Sequence, residues 1–203
     1  MREPSPDTLK LLLDYEVGGG KSYYDKKLSR FTWPKGFSGP TIGIGIDTAY
    51  YSTKELADIF DFLPSEQIKL IQGAVGKTGT AGAEYTLKLQ KAGITVPWDK
   101  ALEIFKELTW TKFSNLAEQA FPGLYQWEDD AYGGIVSLVF NRGTSMAGSS
   151  RLEMRNIRRF VPNKSYKEVA AEIRKMKRLW EGKGLDGLLK RREAEAKLIE
   201  KCI

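Results

Sequence analysis

The chain has 203 residues, 41% of them hydrophobic, with 32 Lys and Arg against 26 Asp and Glu for a formal charge of +6. That composition supports one sizeable core and argues against extended disorder. It holds no histidine and one cysteine, Cys202, which excludes a histidine-based nucleophile triad, a His-ligated metal site and an intrachain disulfide.

Acid–base chemistry then falls mainly to Asp, Glu, Tyr or Lys. No apolar run approaches the ~20 residues of a membrane span. The opening MREPSPDTLKLLLDYE lacks a signal peptide's long apolar region and small-residue cleavage site. The expectation is a monomer made in the cytoplasm, without membrane insertion, that meets any outside target after release or delivery. Its charge is uneven: residues 151–203 hold 16 Lys and Arg against 8 Asp and Glu, and the rest holds 16 against 18. The basic quarter suits a polyanion such as nucleic acid, a membrane surface or an anionic cell wall, or else is a solvated lysine-rich helix face.

In chain order, Ser5-Pro6 predicts a helix start, with Pro at the first helical position. The helix runs through DTLKLLLDYEV to Gly18-Gly19-Gly20 and carries Glu16 at its C-terminal end. The following KSYYDKKLSRFTWPKGFSGPTIGIGIDTAYY predicts a small sheet or hairpin from about 22 to 51. Inside it, Thr41, Gly43, Gly45 and Asp47 alternate with Ile42, Ile44 and Ile46. Read as one strand, this gives an isoleucine face to the core and a bare face with Thr41 and Asp47 at its ends; the plainer reading is a glycine-bent hairpin strand with polar ends. Ser52-Thr53-Lys54-Glu55 is a capping box opening a helix through Phe60. Helices are predicted over 65–74, 80–92, 98–120, 128–142, 149–161, 165–180 and 185–200, punctuated by Gly and Pro. The class is α+β, a small β lobe at about 18–60 plus a mainly helical body, with a cleft expected between them.

Glu16 closes a helix, where the partial negative charge of the C-terminus disfavours an ionised carboxylate. Burial by the aromatics that follow would add to this and suit a general acid. Asp47 would stay ionised. Two such carboxylates are the minimal apparatus for cutting a glycosidic bond, and Thr41 would help hold a water. In the plainer reading Glu16 faces solvent and Asp47 caps the turn before Ser52. FNRG at 140–143 either ends a helix at Gly143 or presents Asn141 and Arg142 to substrate. Arg191-Arg192 reads as a structural ion-pair or surface group. Tyr23, Tyr24, Trp33, Tyr50 and Tyr51 are divided between sugar stacking and the small lobe's core.

The order of these pieces resembles phage-type lysozymes. Glu16 before a glycine break, then SYYDKKL and WPKGFSGPTIGIGID, is similar to the pesticin-like branch. AYGGIVSLVFNRGTS resembles that family's long central helix, and GLLKRREAEAKL its close. The resemblance runs from about Leu11 to Ile199 and implies a lysozyme-like fold. It implies Glu16 as the acid, Thr41 as the hydroxyl and Asp47 as the second carboxylate. In the T-even branch the Asp comes nine residues after the Glu, where this chain has Asp25. The loop from Asp25 to Thr41 is much longer here, and Ile46 stands where that branch has histidine, so Asp47 is preferred over Asp25.

The expectation is a single catalytic domain over 1–203, a muramidase acting on peptidoglycan glycan strands with neither metal nor cofactor, and no nucleic acid partner. Asn141 and Arg142 are its candidate substrate-binding residues. The alternatives are a non-catalytic wall- or polyanion-binding module on the same fold, or a chitinase-like glycosidase.

Overall fold

The computed structural model describes residues 2–18 and 20–203. In chain order its helices are α1 (Pro6–Glu16) and α2 (Gly20–Lys27), then strands β1 (Thr41–Ile42) and β2 (Ile46–Asp47). Helices α3 (Thr53–Ile59), α4 (Ser65–Gln72), α5 (Gly79–Lys91) and α6 (Trp98–Ile104) follow, and a π-helical turn at Phe105–Trp110 leads into α7 (Thr111–Ala120). The remainder is α8 (Asp129–Arg142), α9 (Leu152–Phe160), α10 (Tyr166–Lys175) and α11 (Asp186–Glu200). The fold is α+β and mostly helical, with one two-stranded antiparallel sheet among the described residues. Its contacts define two compact units, residues 1–15 with 106–203, and residues 16–105. The second unit takes in α3 to α6, beyond the 18–60 stretch expected of the β lobe. Gly19, in the glycine run expected to stop the first helix, lies outside the described residues.

The first unit is built around α8, whose residues 131–139 are all buried. A helix apolar on every side belongs at the centre of a bundle. α11 packs on α8, and α10 packs on α11 and α9. Two glycines in α8 explain how closely its neighbours approach. A Cβ on Gly133 would meet the Thr8 side chain of α1 at 1.8 Å, and one on Gly134 would meet Ile199 of α11 at 2.7 Å. Glycine inside a helix costs about 1 kcal/mol relative to alanine, a cost offset here by contacts that any side chain would block. Ser5 caps α1 as expected, its Oγ accepting from Thr8 N–H at 3.0 Å. Pro6 opens the helix, where its missing N–H costs nothing.

α11 brings charge into this core. Arg191, Arg192 and Glu195 are all buried. Glu195 Oε1 accepts from Ser137 Oγ at 2.7 Å and from Arg192 Nη2 at 2.8 Å. Its Oε2 lies 2.7 Å from Arg192 Nε, and Arg191 Nε stands 3.3 Å from Oε1. Of the two readings of the paired arginines, the structural ion-pair holds. Burial pulls the Arg192 guanidinium below its ordinary value, and the charge of Glu195 opposes the shift.

The second unit departs from the sequence reading at its start. Residues 22–27, expected to open a sheet or hairpin, lie in helix α2. Aromatic content suggested strand, but strand preference depends strongly on packing context, and here the spacing decides. Tyr24 is fully buried, donates to Val96 C=O at 2.8 Å and meets the Trp98 ring edge-on at 5.1 Å. Lys21 and Asp25, four apart, pair on the outer face at 2.7 Å. The capping box at Ser52 forms as expected: Ser52 Oγ accepts Glu55 N–H and the Glu55 carboxylate accepts Ser52 N–H.

Residues 41–47 also correct the reading of one continuous strand. They are a hairpin, with Thr41 opposite Asp47 and Ile42 opposite Ile46. Gly43 and Gly45, at φ +68° and +83°, make the three-residue turn, and left-handed backbone is what glycine supplies at no steric cost. The glycines are therefore turn residues, not a bare face. Ile42, Ile44 and Ile46 are buried as expected, lining a space shared with Phe60, Ile104 and Phe105.

Candidate active site

The hairpin brings Thr41 and Asp47 together as a cross-strand pair. Side chains directly opposite on antiparallel strands stand about 5 Å apart at Cβ, so the two oxygen-bearing groups share one face of the hairpin. Both are half-buried.

Backbone amides hold the Asp47 carboxylate. Gly39 N–H lies 3.2 Å from Oδ1 and 3.0 Å from Oδ2, and Ala49 N–H donates to Oδ1 at 3.1 Å. Asp47 is thereby the cap of the short 3-10 turn Thr48–Tyr50, as the plainer reading expected. The fit is close: a Cβ on Gly39 would stand 2.7 Å from Asp47 Oδ1 and 2.3 Å from Ala49 Cβ. Gly39 is thus a site residue that the sequence reading missed, and its signal was the glycine of SGPT just ahead of the strand. The Thr41 hydroxyl donates to Gly39 C=O at 3.2 Å. The Thr32–Thr41 bridge, with bonds of 2.7 and 2.8 Å, fixes the backbone beneath it.

Tyr51, half-buried, has its phenol pushed up first by burial, then by Glu55 and Asp47. It is a neutral hydroxyl near neutral pH that feels the Asp47 charge.

Glu16 is the last residue of α1, and its side chain is exposed. The burial expected from the aromatics that follow is not found, because Tyr24 turns into the core on α2 and Tyr23 is itself 46% exposed. The chain breaks after Glu16 through Gly18 at φ +66°, a conformation common just past helix ends. Asp25 is exposed on α2 and paired with Lys21.

Asn141 and Arg142 close α8. Asn141 is exposed. Arg142 Nη2 donates to Ser150 C=O at 2.8 Å, and the guanidinium lies 4.9 Å from the Trp180 ring centre. Burial and then the Arg151 and Arg192 charges pull Arg142 down to about 10.

Among the described residues, no group of three or more His, Cys, Asp or Glu is placed to hold a metal ion. No helix of the described residues is long and apolar enough to cross a membrane.

Comparison with known proteins gives one finding. The model of the phage lysozyme family matches residues 68–195, which is well over half of the chain. The match takes in Asn141 and Arg142 and ends at Glu195, while Glu16, Asp25, Thr41 and Asp47 precede it. No curated protein matches the chain.

Proposed function

The chain belongs to the phage lysozyme family, peptidoglycan hydrolases of the glycosidase type that act on the cell wall, and on that premise we propose a muramidase of the pesticin-like branch. It hydrolyses the β-1,4 bond between N-acetylmuramic acid and N-acetylglucosamine. Glu16 protonates the leaving oxygen. Asp47, with Thr41, positions water or stabilises the oxocarbenium-like centre.

The observation that carries this reading is the Thr41–Asp47 pair and the way its atoms are engaged. The Thr41 proton is directed at Gly39 C=O, so Oγ1 meets a water as an acceptor. The Asp47 carboxylate accepts two amide hydrogens, that of Gly39 shared between Oδ1 and Oδ2 and that of Ala49 on Oδ1. A carboxylate offers about four acceptor positions, so Oδ2 keeps room to accept from a water. A water giving one hydrogen to Thr41 and one to Asp47 keeps an oxygen lone pair for the sugar's anomeric carbon. Asp47, held by neutral amides, keeps its negative charge for the positive centre that develops there. Glu16, the last residue of α1, stands exposed at the helix end, where its carboxyl is accessible to the leaving oxygen. Asn141, exposed at the end of α8, supplies an amide for substrate contact. Arg142 is already engaged with Ser150 and Trp180.

The test is product analysis on purified peptidoglycan. Mass spectrometry after borohydride reduction should find reduced N-acetylmuramic acid at the new chain ends. Reduced N-acetylglucosamine there would assign a different bond and overturn the reading. Intact wall, with protein bound, would make the chain a binding module. Glu16→Gln should abolish lysis, since a general acid supplies about 10²–10⁴-fold in rate, and should leave the folded structure in place.

A further inference from the structure

We propose that the loop Trp33–Ser38, with Tyr50, is a sugar-stacking platform beside Asp47, and that Phe37 is its principal contact with the glycan strand. This rests on the muramidase reading for the identity of the ligand, but its observations are separate.

Phe37 is 87% exposed and Tyr50 69%. Single exposed apolar residues are ordinary on protein surfaces. These two differ because they are joined and held still. The Tyr50 hydroxyl donates to Phe37 C=O at 3.0 Å. Trp33 Nε1 donates to Ser38 C=O at 2.9 Å, closing the loop across its base. Gly79 N–H, at the start of α5, donates to the same carbonyl at 3.1 Å. The next residue, Gly39, is the amide donor to both oxygens of Asp47. An aromatic ring is thus presented two residues from a group that grips the proposed second carboxylate.

The backbone at the loop tip points the same way. Lys35 and Gly36 are both left-handed, at φ +79° and +62°. For lysine this conformation costs about 1 kcal/mol, and such strain persists only where the surroundings enforce it. Its effect is to turn the chain so that Phe37 stands outward. The hydrogen bonds at its base and at Phe37 C=O restrain the loop, and restraint of this kind lowers the entropic cost of binding.

The ligand class follows from shape and chemistry. One face of a β-linked amino sugar is a sheet of axial C–H bonds with partial positive charge, and the N-acetyl group adds a methyl. Both match the negative face of an aromatic ring. A linear glycan lying across Asp47 extends beyond the cleaved bond, and the platform receives the neighbouring residue. Phe37 would therefore contribute to affinity for longer chains and not to the chemical step.

The experiment measures steady-state kinetics on soluble, peptide-free glycan fragments of defined length, with wild type, Phe37→Ala, Phe37→Leu and Phe37→Trp. Circular dichroism checks that each is folded. Phe37→Ala should raise KM about tenfold on long fragments and leave kcat within twofold, while Phe37→Trp restores KM. If Phe37→Ala leaves KM unchanged while wild type still cuts, the platform is overturned and the muramidase reading stands. Full affinity in Phe37→Leu would overturn stacking as its basis. If wild type cuts nothing, the muramidase reading fails. Sedimentation with insoluble peptidoglycan then tests the platform by itself, and undiminished binding by Phe37→Ala overturns it. A parallel arm uses vesicles of anionic phospholipid. Loss of vesicle binding in Phe37→Ala with glycan KM unchanged would make the loop a membrane contact and overturn the proposal.

Discussion

Glu195 in one unit and Asp47 in the other are each held by several hydrogen-bond donors, but by donors of different kinds. Glu195 is fully buried between two arginines and a serine hydroxyl. Its charge is neutralised where it sits, by groups that need it as much as it needs them. Asp47 is half-buried and accepts only backbone amides, which carry dipoles and no net charge. Its negative charge therefore remains available at the surface. A carboxylate that holds a core together is met by full opposite charges. One that serves chemistry is oriented without being neutralised. The first arrangement contributes to stability and specificity of packing, and the second keeps an electrostatic field directed at solvent and substrate.

The largest expected effects fall on activity in the second unit. Asp47→Asn should lower the lysis rate nearly as far as Glu16→Gln, on the order of 10²-fold or more as for lost acid–base or charge-stabilising groups. Asparagine would turn an N–H toward Gly39 or surrender an acceptor, so some stability is lost too, about 0.5–2 kcal/mol as for other caps. The two effects separate by measuring rate and melting temperature together. Asp25→Asn should change the rate little, because Asp25 is exposed and its partner Lys21 is also exposed. An active Asp47→Asn beside a dead Asp25→Asn would reverse the assignment to the T-even arrangement. The amide cradle of Asp47 would then be only a turn cap.

Next in size is the buried network of the first unit. Glu195→Gln removes a carboxylate that both buried arginines approach within 3.3 Å. Breaking a buried pair costs about 3–5 kcal/mol, because a charge is left uncompensated in the interior. Denaturant unfolding should show that loss, while the rate per folded molecule stays close to wild type. Lost lysis with unchanged stability would show that the network belongs to the chemistry and would dissolve the contrast with Asp47.

Much of the helical framework was legible because its signals are local. Ser5-Pro6, the Ser52–Glu55 box and the glycines ending segments each state their own role, and α3, α4, α5, α8 and α11 fall within two residues of the predicted bounds. The failures came where the answer lies elsewhere in the chain. KSYYDKK became a helix because Tyr24 finds Val96 and Trp98, some 70 residues on. TIGIGID looked like one alternating strand because a three-residue turn flanked by isoleucines has the same period-two pattern as a strand. Its two glycines carry the distinction through φ, which composition alone does not state. The pairing of Thr41 with Asp47 was legible as a shared face, but for a different reason: they meet across a hairpin instead of along a strand. Gly39 could not be read as a donor without the fold that brings it over Asp47.

The smallest expected effect comes from the exposed side of the same helix that buries Glu195. Arg174 and Lys177 hold the Glu193 carboxyl down at about 2, through hydrogen bonds opposed in part by desolvation. Arg174 lies 3.1 Å away and Lys177 2.6 Å. The folded carboxyl is more acidic than the unfolded one, whose ordinary value is 4.5. Its contribution is therefore fully present above about pH 4.5 and fades as pH falls toward about 2. The groups are partly exposed, so the contribution should stay below about 1 kcal/mol and weaken in salt. Glu193→Gln should lower the melting temperature slightly at pH 7, with the gap to wild type closing as pH falls through that window. Glu195→Gln serves as the internal contrast, since its loss includes packing and arginine desolvation as well as charge. A Glu193→Gln gap that stayed constant from pH 7 to pH 2 would mean that Glu193 acts through packing, and that the outer and buried faces of α11 are stabilised alike.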